Sequence, residues 1–381
     1  MKPKQLFQDK VFCPAPWNNL YINPDGTTHT CSIGKFSLGN LHDKDVTDIV
    51  KDNTMLKSIQ KSMIEGKRHK NCDICYDLED WGLKDTLRTH YKKTITDFEN
   101  LLQYDTPDGD LEIRSFDLRY DNTCQNACVF CDATLSSRWE KELDIKIPKP
   151  TNTIITKEYV LKNLHLLKEI YLAGGEPLVN KDFVTIMNKL YEVNPNCKVR
   201  INSNIRNIKT PAYELSKKFK NLRYTISADA TNKQFEYIRY PQAWESFETN
   251  VATVMQEVPS YNFNMVLNVL NVFGLFDCID YLRSIGAHDN SFMIIHAYFP
   301  KWCDIRNLPE DILQDFLNKC DKYMSETNTS NSLYTSLLGC KNFVIDRQSF
   351  KKDLQDTQLN LDILNIRRNL NSRKYFPYIY N

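Results

Sequence analysis

From residue 111 onward, apolar positions alternate with polar ones at Leu111, Ile113, Phe116, Leu118 and Tyr120. This alternation, broken once, predicts a strand. Further strands are expected over 168–173, 197–203, 222–228, 262–270 and 291–298. Helical periodicity fills the intervals over 155–166, 181–192, 211–219, 243–256 and 274–285. Parallel neighbours need a crossover between them, so strand–helix units in series predict a parallel α/β sheet. Six such units fall short of the eight that close a TIM barrel. The expected fold class is therefore α/β, a partial, open (β/α)6 TIM-like barrel. Helices over 308–325 and 344–372 are expected to follow it.

The chain before residue 111 reads differently. It holds four cysteines, a strand at Leu20-Tyr21-Ile22 and turn signals at Asn23-Pro24-Asp25-Gly26 and Gly39-Asn40. A helical stretch over 86–104 runs toward Thr106-Pro107-Asp108-Gly109. The predicted organisation is a small Cys-rich domain at 1–85, a helical linker at 86–110, the barrel at 111–300 and a helical extension at 301–381.

Composition adds exclusions. With 49 basic against 48 acidic side chains, there is no global electrostatic case for nucleic acid or a membrane surface. The opening MKPKQLFQDKVF lacks the apolar core of a signal peptide, and no apolar run reaches the ~18–20 residues of a membrane span. A cytoplasmic location is expected. There, the 12 cysteines argue for metal or catalysis rather than disulfides. Seven form two patterned groups. The other five, Cys197, Cys278, Cys303, Cys320 and Cys340, are read as small buried hydrophobes.

The first group is Cys124, Cys128 and Cys131, a CxxxCxxC spacing just after the first barrel strand. Three thiolates can hold three irons of a [4Fe–4S] cube and leave the fourth open to an external ligand. A three-ligand zinc site is the alternative. The next strand, Ile170-Tyr171-Leu172, runs into Gly174-Gly175-Glu176-Pro177, where the glycines are expected to let a ligand approach the backbone and Glu176 to receive an ammonium group.

As a pair these motifs resemble the radical S-adenosylmethionine (SAM) superfamily, over about residues 111–300. The resemblance implies that the open iron binds SAM through its methionine moiety, that Gly174, Gly175, Glu176 and Pro177 hold the methionine amino group, and that Phe130 lies near the adenine. Asn202, Ser203 and Asn204 match positions near the SAM ribose, and Arg239 one near the SAM carboxylate. Asp229 matches an acidic residue facing the active site. Asp229 and His296 are the candidate catalytic groups, and Asn268 and His296 are expected on the substrate side of the last two strands.

The second group is Cys13, Cys31, Cys72 and Cys75. With Pro16-Trp17, Asp25-Gly26 and Gly39-Asn40-Leu41 it resembles the opening of a SPASM/Twitch auxiliary-cluster module, placed before the barrel rather than after it. That implies a second, auxiliary [4Fe–4S] cluster with four cysteine ligands; zinc is the alternative. The combined resemblance implies reductive cleavage of SAM to a 5′-deoxyadenosyl radical, hydrogen abstraction and a net oxidation. An external electron donor such as flavodoxin or ferredoxin is implied. The substrate expected is a peptide or protein side chain, or else a small molecule such as a sugar or nucleotide. Only twelve residues precede Cys13, so no peptide-binding domain is expected ahead of it. A non-catalytic iron–sulfur electron-transfer or zinc-binding protein is the alternative outside enzymology.

Overall fold

The structure is a computed structural model describing residues 10–94, 111–119, 121–148, 153–297, 299–346 and 352–380. Six strands follow the predicted series: β4 (Ser115–Leu118), β5 (Glu169–Leu172), β6 (Lys198–Ser203), β7 (Leu222–Ser227), β8 (Tyr261–Leu267) and β9 (Phe292–His296). Each pairs in parallel with the next. Helices Thr153–Asn163, Lys181–Val193, Pro211–Ser216, Trp244–Glu257 and Gly274–Ser284 make the crossovers. Local chemistry sets their ends. The Asn180 side chain accepts from the amides of Asp182 and Phe183, and Thr210 caps a helix that begins with Pro211.

The Cys-rich segment is part of this sheet. Its strands β1 (Asn19–Ile22), β2 (Thr27–His29) and β3 (Gly39–Asn40) extend it, in the order β3-β2-β1-β4-β5-β6-β7-β8-β9. β1 pairs in parallel with β4, Asn19 opposite Ser115 and Ile22 opposite Leu118. β2 returns antiparallel through the predicted turn, where the Gly26 amide donates to Asn23 and Gly26 takes φ +82°. The sheet ends, β3 and β9, do not pair, so the barrel stays open.

The sheet has two unlike faces. Leu20, Phe116, Ile170, Val199 and Leu222 share one row, and Ile22, Leu118, Leu172, Ile201 and Tyr224 another. Both rows are buried under the helices. The alternate positions form a polar inner wall: Tyr21, Asp117, Tyr171 and Arg200, then Asn202, Thr225 and Asn262. At the start of the strands this wall holds Glu169, buried among His90, Lys198 and Arg200 at 2.7, 3.0 and 3.2 Å. His90 comes from helix Leu87–Thr94, the described part of the linker; the turn at 106–109 and Tyr120 lie outside the described residues.

Two predicted elements differ. The first strand is Ser115–Leu118 rather than the longer run from 111; Arg114, just before it, still bonds the Asn18 carbonyl at 2.8 Å. The expected helix over 344–372 is shorter, Leu354–Arg368, ending on Asn369 at φ +52°, and an unpredicted helix, Ser332–Ile345, precedes it. The five scattered cysteines are buried in the core, as expected.

Because Leu20 is fully buried on the shared sheet, Leu20→Ala should cost about 2–5 kcal/mol. The Cys-rich segment and the barrel should melt together in one calorimetric transition. Two separate transitions would contradict the shared sheet.

Candidate functional site

The loop after β4 brings Cys124, Cys128 and Cys131 to the C-terminal end of the strands. Chain contacts fix it from several sides. The amides of Ala127 and Val129 donate to the carbonyls of Tyr240 and Ile238 at 2.7 and 2.9 Å. Trp139 Nε1 donates to the Cys128 carbonyl at 2.9 Å, and Arg368 Nη2 to that of Ala127 at 2.9 Å.

Gly174 and Gly175 supply the closest support. A Cβ on Gly175 would fall 2.2 Å from the Thr123 carbonyl oxygen. A Cβ on Gly174, whose φ is +108°, would fall 3.0 Å from the backbone of Arg119. The amides of Gly175 and Glu176 donate to the carbonyls of Asp121 and Thr123 at 3.2 and 2.7 Å. The sequence suggests that a ligand needs this space; in the structure the cysteine loop itself occupies it. Glu176 is buried and ties β5 to β6. Its carboxylate accepts from the Leu178 amide at 3.1 Å, Ser203 Oγ at 2.7 Å and the Asn204 amide at 2.8 Å. A carboxylate has about four acceptor positions, which leaves room for one further donor. Burial raises its pKa to about 7. Pro177 opens the short 3-10 turn that Glu176 caps.

Arg239 is the loop's counter-charge. Its Nη1 lies 3.7 Å from Cys128 Sγ, its guanidinium sits 5.1 Å from the Phe130 ring centre, and its Nε pairs with Asp229. Asn204 Nδ2 approaches Cys124 Sγ at 3.9 Å. Burial pushes all three thiols up, Cys124 to about 12, and Cys131 feels both of the others. Metal binding removes such protons outright, and donors aimed at sulfur then offset the thiolate charge.

The two candidate catalytic groups stand in different surroundings. The Asp229 carboxylate is held by Arg239, which reaches Cys128, and accepts the Val266 amide at 2.7 Å. His296 lies in the row of Leu267, on the helix-covered face with Phe292 and Ile294. It stacks on Phe343 with ring centres 3.6 Å apart, and its pKa is lowered to about 3 by burial and by Arg306. Asn268, one residue past β8, is fully buried, and its carboxamide accepts the Leu270 amide and donates to the Val266 carbonyl. The inner wall instead presents side chains that the sequence reading did not single out. Asn264 faces Ser227, and its Oδ1, like that of Asn202, is buried with no hydrogen-bond partner among the described residues. Leaving such an acceptor unmet costs about 1–3 kcal/mol, which a bound donor would recover.

Cys13, Cys31, Cys72 and Cys75 line one pocket with Met63 and Arg88. Peptide N–H groups of Ala15, Ile33, Gly34 and Arg88 point at the sulfurs of Cys13, Cys31 and Cys75. Arg88 also pairs with Glu79 and donates to the Phe12 carbonyl at 3.0 Å. Four thiols around one pocket, with N–H groups aimed at three of them, suit the thiolate donor set of an iron–sulfur cluster. Strand polarity puts this pocket at the far end from the CxxxCxxC loop. Asn19, the first residue of β1, bonds the Thr30 carbonyl next to Cys31 at 2.8 Å, and Cys13 precedes the helix leading into β1.

Gly175→Ala should displace the loop, so the purified chain should retain less iron after reconstitution while its far-UV circular dichroism is kept. His296→Phe tests the structural reading. A histidine held neutral costs stability as pH falls from about 6.5 toward about 3, because only the unfolded chain takes up the proton there. The variant should show a smaller loss of Tm across that window; an equal loss would sink this reading.

A model of the radical SAM superfamily matches residues 120–273, and a model of SPASM, an iron–sulfur cluster-binding domain, matches residues 13–77. No curated protein matches the chain. Among solved structures, Streptococcus suis SuiB bound to S-adenosylmethionine is 14% identical over 56% of this chain and 45% of that one, with a TM-score of 0.39. Native anSMEcpe with bound AdoMet is 12% identical over 56% and 60%, with a TM-score of 0.44. The chain thus aligns with about half of each relative's length. The two motif-bearing segments match their family models in the order the sequence places them: the chain carries a radical SAM domain over residues 120–273 and, ahead of it, a SPASM iron–sulfur cluster-binding domain over residues 13–77.

Proposed function

We propose that this protein is a radical SAM enzyme that oxidises a peptide or protein side chain. One arrangement carries the reading: the two cysteine groups lie at opposite ends of the same parallel strands, with the polar inner wall between them. A strand of four residues spans about 13 Å. A substrate on the wall would thus lie between the catalytic cluster and an auxiliary cluster able to accept its electron.

Cys124, Cys128 and Cys131 would hold the catalytic cluster, and Cys13, Cys31, Cys72 and Cys75 the auxiliary one. When bound, the catalytic cluster supplies reductive cleavage of SAM to methionine and a 5′-deoxyadenosyl radical that takes a substrate hydrogen. The chain's part is placement. The peptide edge at Gly174 and Gly175, with the remaining acceptor site of Glu176, would receive the SAM ammonium. Phe130 would flank the adenine. Ser203 and Asn204, fixed by Glu176, would border the ribose with Asn202, and Arg239 would stand near the SAM carboxylate. Asp229 holds Arg239 there.

The inner wall favours a peptide over a phosphorylated small molecule. Thr225, Asn262 and Asn264 are neutral and suited to amide groups. Arg119, Lys198 and Arg200 are already ion-paired with Asp117 or Glu169, so they are poorly placed to receive a diphosphate.

Replacing Cys124, Cys128 and Cys131 with Ala should abolish 5′-deoxyadenosine formation in an anaerobic assay with SAM and dithionite. About four irons per chain should remain, held by the N-terminal cysteines. Replacing Cys72 and Cys75 should remove the other four and leave SAM cleavage measurable. Loss of all iron in either variant would contradict two independent sites, and a fully loaded wild-type chain that forms no 5′-deoxyadenosine would refute the enzyme reading.

A further inference from the structure

The helix Leu354–Arg368 is apolar on two opposite sides. At about 3.6 residues per turn, Thr357, Leu361, Leu364 and Arg368 share one face, and all four are buried. Leu359, Ile363 and Ile366 recur at i, i+4 and i+7 on the other, where they are 60%, 43% and 85% exposed. A solvated helix face is ordinarily polar. Three aliphatic side chains in register on it form an apolar strip of the kind that binding surfaces use.

Position and charge identify the cover. The buried face of this helix braces the cysteine loop: Arg368 bonds the Ala127 carbonyl, and its guanidinium lies 4.6 Å from the Trp139 ring centre. A partner on the outer face would therefore stand about one helix diameter, ~10 Å, from that loop. The helix end nearest the loop is basic. Lys141, Arg367, Arg373 and Lys374 are exposed there. Arg206 donates to the Gln125 carbonyl at 2.8 Å on the loop itself. Arg368 and Arg373 pair with the neighbouring acids Glu142 and Asp362; Asp144, two residues after Glu142, is exposed.

We propose that this face docks the acidic one-electron carrier protein that reduces the cluster at Cys124, Cys128 and Cys131. Leu359, Ile363 and Ile366 form its apolar strip, and Arg367 and Lys374 its charged rim. The inference rests on the function proposed above. One electron passes from the carrier to the cluster; the carrier is oxidised by one electron, and no proton or group moves with it.

The test uses the full, reconstituted chain with reduced flavodoxin as the probe. One variant carries Leu359→Ser, Ile363→Ser and Ile366→Ser; a second carries Arg367→Glu and Lys374→Glu. Flavodoxin should bleach the iron–sulfur absorption about tenfold more slowly in either variant than in the parent chain. The parent rate should fall with added salt, and the charge-reversed variant should lose that dependence. Dithionite needs no docking surface and should bleach all three proteins equally. Unchanged flavodoxin rates in both variants would overturn the docking site. So would a parent dimer that the apolar variant turns into a monomer on size exclusion, since a second copy would then be the occupant. Bleaching requires no SAM cleavage. A chain bleached normally that yields no 5′-deoxyadenosine therefore refutes the proposed function and not the docking site.

Discussion

The approach of two backbones at Gly175 sets the rest of the site. The Thr123 carbonyl occupies the place where a side chain would begin, so the cysteine loop can lie down on the end of β5 only if this residue has none. The amide of Glu176 then bonds that same carbonyl, and the Glu176 carboxylate turns away to collect Ser203 and the Asn204 amide. A single contact thus registers the loop against β5, and β5 against the end of β6. Arg239, held by Asp229, anchors the loop from the opposite side.

Both thiol sites carry an electrostatic cost that metal relieves. Burial raises the pKa of every one of the seven patterned cysteines, Cys75 and Cys124 to about 12. In the metal-free chain they stay protonated, and loading must remove those protons. The chain prepares for the resulting negative charge with N–H groups aimed at sulfur in the N-terminal pocket and with Arg239 at the loop. Buried charge elsewhere is compensated in the same way, as where Glu169 sits among His90, Lys198 and Arg200.

What could be read from the sequence was local. The cysteine spacings, the Gly-Gly-Glu-Pro turn and the strand alternation each lie within a few residues, and each appears in the structure. What depends on distant partners was hidden. The pairing of β1 with β4 joins segments nearly a hundred residues apart, and nothing in either strand announces it. His296 was assigned to the wrong surroundings because a one-residue uncertainty in register exchanges the two faces of a strand. The acidity of Asp229 is visible in the sequence, while its bond to Arg239 is not. Helix Ser332–Ile345 was missed because it is buried on most sides and so has no clear amphipathic period.

The linker helix Leu87–Thr94 belongs to both ends of this chemistry at once. Arg88 lines the pocket of the N-terminal cysteines, and two residues later His90 closes on Glu169 at the floor of the barrel. Any rearrangement of that pocket as it fills with iron is therefore felt in the barrel floor through one turn of helix. The CxxxCxxC loop is at the other end of the strands, so a change in the N-terminal pocket reaches the barrel floor before it reaches that loop.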